Sequence, residues 1–123
     1  MDDEVVMKKL RKLHQDKSPG ADEIQPRYLK EIAEDVCHAL TIIFRKSLDH
    51  GEIPEDWRIA NVSPIFKKGS KCKASNYRPV SLTSQVSKIY ESIVRDAIME
   101  HLVKNQLIKR FTTWFFERTI MLE

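Results

Sequence analysis

The stretch IANVSPIFKKGSKCKASNYRPVSL, residues 59–82, decides the fold of this chain because its pattern changes twice. Residues 59–66 are apolar without a helical period, and the proline among them is typical of an edge or bulged strand. Arg78 precedes another proline, which disfavours the helical region, so residues 76–82 are predicted to be extended too. A polar turn centred on Gly69 separates the two segments. The pattern therefore predicts a β-hairpin.

The tip of this hairpin is strongly basic. Seven of the 21 basic residues lie between Trp57 and Tyr90, and none of the 18 acidic residues does. The seven are Arg58, Lys67, Lys68, Lys71, Lys73, Arg78 and Lys88. That leaves 14 of the 21 basic residues for the rest of the chain, against all 18 acidic ones. A basic block on an otherwise acidic chain predicts contact with phosphates, and the alternative is a solvated, solubilising loop.

Three main helices are predicted around the hairpin. The first covers residues 3–15, the second begins at Pro26 and stops at Gly51, and the third is capped by Thr83 or Ser84. Apolar residues recur at spacings of three and four in the second helix (Leu29, Ile32, Ala33, Val36, Leu40, Ile43, Phe44, Leu48) and the third (Val86, Ile89, Tyr90, Ile93, Val94, Ala97, Ile98, Leu102). We therefore expect an α+β fold that is mostly helical.

Composition limits the class of protein. The chain has 123 residues, 41% hydrophobic and 32% charged, which suits one small globular domain. No apolar run is long enough to cross a bilayer, and the acidic N-terminal residues lack the apolar core of a signal peptide. Cys37 and Cys72 do not form a disulfide framework. We expect an intracellular protein, nuclear or cytoplasmic, that is not secreted and not in a membrane.

The sequence predicts no catalytic residue, no metal ligand set and no cofactor for this chain. The serines lack the GxSxG pattern of a nucleophile elbow, and no GxxxxGK[ST] phosphate loop occurs. The histidines lie singly. The side chains of the adjacent Cys37 and His38 would point in different directions on a helix, so they would not bind one metal ion together. The informative candidates are instead Lys67, Lys68 and Arg78, because a compact ammonium and a planar guanidinium on one hairpin suit a triphosphate or a nucleic-acid backbone. Further candidates for backbone contacts are Arg58, Lys71 and Lys73.

Two longer runs carry a resemblance to a known family. They are SPGADEIQPRYLKEIAE, residues 18–34, and GEIPEDWRIANVSPIFKKGSKCKASNYRPVSLTSQVSKIYESIV, residues 51–94. In order and spacing they resemble the N-terminal part of the reverse transcriptase domain of non-LTR (LINE-type) retrotransposons. The resemblance implies that residues 1–108 are a partial reverse transcriptase domain, an incomplete fingers subdomain of a right-hand polymerase.

The resemblance also implies roles for the hairpin. Lys68, with Lys67 as the alternative register, and Arg78 would contact the triphosphate of the incoming nucleotide, and the partners would be dNTP and an RNA/DNA template-primer. The family's Mg²⁺ is held by palm aspartates in its F-x-D and F-A-D-D runs, neither of which occurs in this sequence. We therefore expect a truncated fragment without independent catalysis. The alternatives are a domesticated nucleic-acid-binding module and a helical protein-interaction piece.

Residues 109–123 depart from the family and are predicted to be a divergent, frame-shifted tail. Where the family reads like Q-H-G-F-x-K-G-R-S, this chain reads TTWFFERTIML. A shift of one nucleotide can convert these codons to Q-H-G-F-L-K-G-R-S-C, and Trp114 followed by Phe115 forces the glycine. The alternative is a genuine C-terminal segment whose aromatic residues pack on the third helix.

Overall fold

A computed structural model describes residues 1–108, and the predicted frame-shifted tail, residues 109–123, lies outside them. By their contacts the described residues form two units, one of residues 1–90 and one that begins at Glu91. The elements are α1 (Asp3–Arg11), α2 (Pro26–Glu31), α3 (Ala33–His50), β1 (Ala60–Phe66), β2 (Tyr77–Thr83) and α4 (Gln85–Lys104). The two strands form an antiparallel sheet. The predicted α+β, mostly helical class is confirmed.

The ends of the helices follow local chemistry. The Asp2 carboxylate caps α1 by accepting a hydrogen bond from the backbone N–H of Val5 at 3.2 Å. Pro26 occupies the first turn of α2, and Gly51 ends α3 in the left-handed region with φ of 66°, both as predicted. Helix α1 ends at Arg11 rather than near residue 15.

The predicted second helix is interrupted, which makes four α-helices rather than three within residues 1–108. Ile32 separates α2 from α3, with φ of −98° and ψ of 18°. On either side of it Leu29 and Ala33 are buried, whereas Ile32 itself is 44% exposed. Leu48, expected on the buried stripe, is also exposed. The break thus divides one predicted apolar face into two shorter ones.

The core of residues 1–90 lies between α1, α2, α3 and the start of α4. Its buried apolar side chains are Val6, Leu10, Leu29, Ala33, Cys37, Leu40, Phe44 and Ile89. The ring of Phe44 lies 5.8 Å from Trp57 and 5.4 Å from Tyr90, centroid to centroid, so three elements meet at one aromatic cluster. Trp57 belongs to a 3-10 turn, Glu55–Arg58, that leads directly into β1. The cluster therefore fixes the base of the hairpin.

Helices α1 and α3 are also joined by polar contacts. The Cys37 thiol donates to the backbone carbonyl of Asp3 at 2.9 Å, and the Arg11 guanidinium donates to the Glu34 carboxylate at 3.4 Å. Burial raises the pKa of the Cys37 thiol, and the nearby charge of Asp3 acts in the same direction. Cys37 is therefore a buried structural donor and not an activated nucleophile.

Candidate nucleic-acid interface

The register of the hairpin explains how each strand tolerates a proline. Pro64 lies directly opposite Pro79. Just beyond the strands, the backbone N–H of Lys67 donates to the carbonyl of Asn76 at 2.8 Å. Lys67 and Asn76 therefore form a hydrogen-bonded pair. Hydrogen-bonded and non-hydrogen-bonded pairs alternate along an antiparallel ladder, and the proline pair lies three pairs away, so it is a non-hydrogen-bonded pair. Both prolines face the open edges, where neither removes a ladder hydrogen bond and each blunts an edge against a further strand.

The same alternation divides the cations between two faces. Arg78 lies opposite Ile65, a hydrogen-bonded pair two residues from the pair of Lys67 and Asn76. Because side chains two residues apart in a strand share a face, Lys67 and Arg78 are diagonal neighbours on one side of the hairpin. Lys68, one residue further along the chain, belongs to the opposite face and begins the turn. The register therefore puts Lys67, and not Lys68, on the same face as Arg78.

The tip itself is held by side chains as well as by backbone bonds. The Asn76 amide donates to the Ser70 carbonyl at 2.7 Å, and the Tyr77 hydroxyl donates to the Lys71 carbonyl at 2.8 Å. Gly69 has φ of 84°, and a Cβ there would lie 2.9 Å from the Asn76 amide nitrogen. These contacts hold the loop between the two strands in place. The loop includes Lys71 and is exposed to solvent.

An open groove of about 480 Å³ lies beside the hairpin. It is lined by Val62, Pro64, Lys71, Cys72, Ala74, Tyr77, Arg78 and Pro79. Beside it the Lys71 ammonium stands 5.7 Å from the centroid of the Phe66 ring, which packs edge-on against Tyr77 at 5.6 Å. Sequence reasoning missed this groove, although Val62, Pro64 and Phe66 at alternate positions were the signal for an apolar face.

The other predicted contacts occupy opposite ends of the hairpin. Lys71 and Lys73 lie in the tip, whereas Arg58 ends the 3-10 turn at the base. All six candidate cations are exposed, and within residues 1–108 none of them forms an ion pair with a carboxylate. The register thus puts Lys67 and Arg78 on one face of the hairpin, with Lys71 and Lys73 nearby in the chain and Arg58 apart.

The base of the hairpin is locked by a second segment of the chain. The Gln85 side-chain amide donates to the Ser18 carbonyl at 2.8 Å. A Cβ on Gly20 would lie 2.4 Å from the carbonyl carbon of Thr83 and 2.5 Å from the backbone nitrogen of Ser84. The loop after α1 therefore packs directly against the end of β2, and this close approach requires glycine. The two sequence runs that carry the family resemblance meet here.

Within residues 1–108 no group of three His, Cys, Asp or Glu side chains is placed to hold a metal ion. Among these same residues, no helix has the length and apolar character needed to cross a membrane.

Comparison with known proteins identifies relatives among mobile elements. The chain is 28% identical over 113 residues to the RNA-directed DNA polymerase from mobile element jockey of Drosophila melanogaster, which covers 91% of the chain. It is 26% identical over 106 residues, 85% of the chain, to the "Probable RNA-directed DNA polymerase from transposon BS" of the same species. A third, from transposon X-element, is 29% identical over 79 residues, 63% of the chain.

The chain spans about 12% of the length of the first two relatives and 9% of the third. No protein-family profile matches it. The predicted resemblance to retrotransposon reverse transcriptases is confirmed by these relatives.

Proposed function

We propose that residues 1–108 form the front of the fingers of a retrotransposon RNA-directed DNA polymerase. In this proposal the hairpin binds the triphosphate of the incoming dNTP and the backbone of the template-primer. The similarity to polymerases of mobile elements supports the class of protein. The observation that carries the proposal is the placement of Lys67 and Arg78 on one face of the β1–β2 ladder.

The chemistry of this pair suits phosphates. Arg78 offers a planar fork of donors and Lys67 a compact charge, and both remain exposed and without an acidic partner among residues 1–108. A triphosphate bound between them would have its charge neutralised by the two cations. The same cations would stabilise the negative charge that develops on the leaving group. We assign the triphosphate contact to Lys67 and Arg78, with Lys68 as the alternative register, and weaker backbone contacts to Arg58, Lys71 and Lys73.

Binding of a single-stranded oligonucleotide against salt concentration tests the proposal. The slope of log affinity against log salt changes by about 0.7 for each phosphate that the protein no longer neutralises, so we expect Lys67→Ala and Arg78→Ala each to flatten it by roughly that amount. Lys68→Ala should have the smaller effect. Lys46→Ala, which removes an exposed charge from α3, is the matched control and should leave the slope unchanged. Equal slopes for all four variants would contradict the proposal.

Catalysis by the chain alone is a separate question. The family's metal-binding aspartates lie in motifs that this sequence does not contain, so we propose that the chain supplies phosphate binding and no metal-dependent step. With primer, template, dNTPs and Mg²⁺ or Mn²⁺, the purified chain should extend no primer. Metal-dependent incorporation above a buffer control would refute this part of the proposal.

We propose further that residues 109–123 are read in a shifted frame relative to the parent element. Sequencing of the locus tests this directly. The shifted frame downstream of Phe111 should continue into the F-x-D and F-A-D-D runs, intact or decayed. A downstream sequence without either run in any frame would refute the frameshift and favour a genuine C-terminal segment.

A further inference from the structure

Ser70 occupies the centre of the basic tip. It is exposed, and its hydroxyl accepts a hydrogen bond from the backbone N–H of Cys72 at 3.3 Å. Four lysines lie within three residues of it in the chain, at positions 67, 68, 71 and 73. The segment from residue 57 to residue 90 contains no carboxylate to compete with a new negative charge. No other exposed hydroxyl in that segment has as many basic residues within three positions of it in the chain.

We propose that Ser70 is a phosphorylation site for a basic-directed Ser/Thr protein kinase, and that its phosphate weakens nucleic-acid binding by the hairpin. The inference rests on the proposed function, because it names the regulation of the same site. Kinases of this class recognise their substrates through a charge pattern, with basic side chains two and three residues before the acceptor. Lys67 and Lys68 stand at those two positions.

Local structure favours Ser70 over the neighbouring hydroxyls. Ser81 follows Arg78 by three residues, but it is held within the ladder of β2. Ser75 lies in a 3-10 turn, Ala74–Asn76, and has a lysine at only the nearer of the two positions. Ser70 lies in the loop between the strands, outside both elements, so a kinase can engage its backbone without opening the sheet.

The modification is an ordinary phosphoryl transfer from ATP. The Ser70 hydroxyl oxygen forms a bond to the γ-phosphorus, the bond from that phosphorus to the β–γ bridging oxygen breaks, and ADP leaves. The hydroxyl proton passes to the catalytic base of the kinase. The product carries a charge of about −1.5 to −2 at neutral pH, which offsets up to two of the surrounding cations.

Its effect on binding can be stated from counterion release. Cancelling the charge of one to two phosphate-binding cations should reduce the salt slope by about 1 and weaken single-strand affinity about tenfold near 0.1 M salt. The phosphate would act at the tip, so the fold of the helical core should not change. Far-UV circular dichroism of the modified chain should therefore match that of the unmodified chain.

The test uses the full chain in a Thr112→Ala background, because Lys109 and Arg110 give Thr112 the same charge pattern. The catalytic subunit of cyclic-AMP-dependent protein kinase with ATP and Mg²⁺ is the probe, mass spectrometry maps the phosphate, and a salt titration follows. We expect phosphate on Ser70, its loss in Ser70→Ala, its retention in Ser75→Ala and Ser81→Ala, and the tenfold weaker binding.

Phosphate on another residue, or on none, would overturn the inference. Phosphate on Ser70 with an unchanged salt slope would overturn it too, while leaving the proposed function standing. Absence of salt-dependent binding in the unmodified chain would refute the proposed function, and the regulation with it. Ser70→Asp gives an independent check, since its single negative charge should flatten the slope by about half as much.

Discussion

The helical part of residues 1–90 and the hairpin inserted in it are stabilised in different ways. Phe44 is fully buried and packs against two aromatic rings, whereas Phe66 in β1 is 39% exposed and packs edge-on against Tyr77. Burial stabilises the first region, and ladder and turn hydrogen bonds define the second. The cations of the hairpin stay exposed to water, so the hairpin buries little and depends on the core for its position.

The largest expected effect comes from a pair of matched truncations. Phe44→Ala removes the centre of the aromatic cluster and should cost about 3–5 kcal/mol of unfolding free energy. Phe66→Ala removes one exposed aromatic pair and should cost about 0.5–1.5 kcal/mol. Urea unfolding followed by far-UV circular dichroism measures both. Equal losses would show that the hairpin is as much a part of the core as α3.

The patterns that predicted the fold were those with a local cause. Gly51 ends α3 because its left-handed φ suits glycine, and Pro26 begins α2 because it has no N–H to leave unpaired. The hairpin followed from two proline-bearing segments around Gly69. Each of these features is decided within a few residues, so the sequence alone is sufficient.

The features that could not be predicted have no marker in the local sequence pattern. No proline or glycine marks the interruption at Ile32. The apolar periodicity predicted one helix that continues through this position. Which of Lys67 and Lys68 shares a face with Arg78 depends on which strand pairs are hydrogen-bonded, and the backbone bond from Lys67 to Asn76 is a property of the folded hairpin. The contact of Gly20 with Thr83 joins residues far apart in the chain.

A second comparison tests the junction between these regions. Gly20→Ala would force a Cβ against backbone atoms of Thr83 and Ser84 that cannot move without shifting β2, so we expect a loss of about 1–3 kcal/mol. Gly51→Ala is the control, because nothing lies within 4 Å of its Cβ and the cost is conformational, about 1 kcal/mol. Chemical unfolding measures both, and Gly20→Ala should in addition weaken oligonucleotide binding. A Gly20→Ala chain as stable as the parent would mean that the loop does not lock the hairpin.

The smallest expected effect concerns the exposed edge of the core. The Asp3 carboxylate accepts from the His38 ring at 2.9 Å, and this hydrogen bond, followed by one from Thr41, holds the pKa of Asp3 below its ordinary value. A carboxyl whose pKa is lower in the folded state stabilises the fold above its unfolded pKa. That contribution disappears as the pH falls through the folded pKa. Asp3→Asn should therefore lower stability at neutral pH, and the difference should shrink as the pH falls below the ordinary aspartate pKa of about 3.9.

Asp2→Asn is the matched control for this change. It removes the same charge from the adjacent residue but keeps a side-chain oxygen that can accept from the Val5 N–H, so the cap of α1 survives. Urea midpoints of the parent and both variants, measured at neutral pH and near about pH 3, give the comparison. The gap between the parent and Asp3→Asn should close on acidification. A gap of the same size at both pH values would mean that the pair of Asp3 and His38 does not contribute through ionisation, and that other contacts hold α1 to α3.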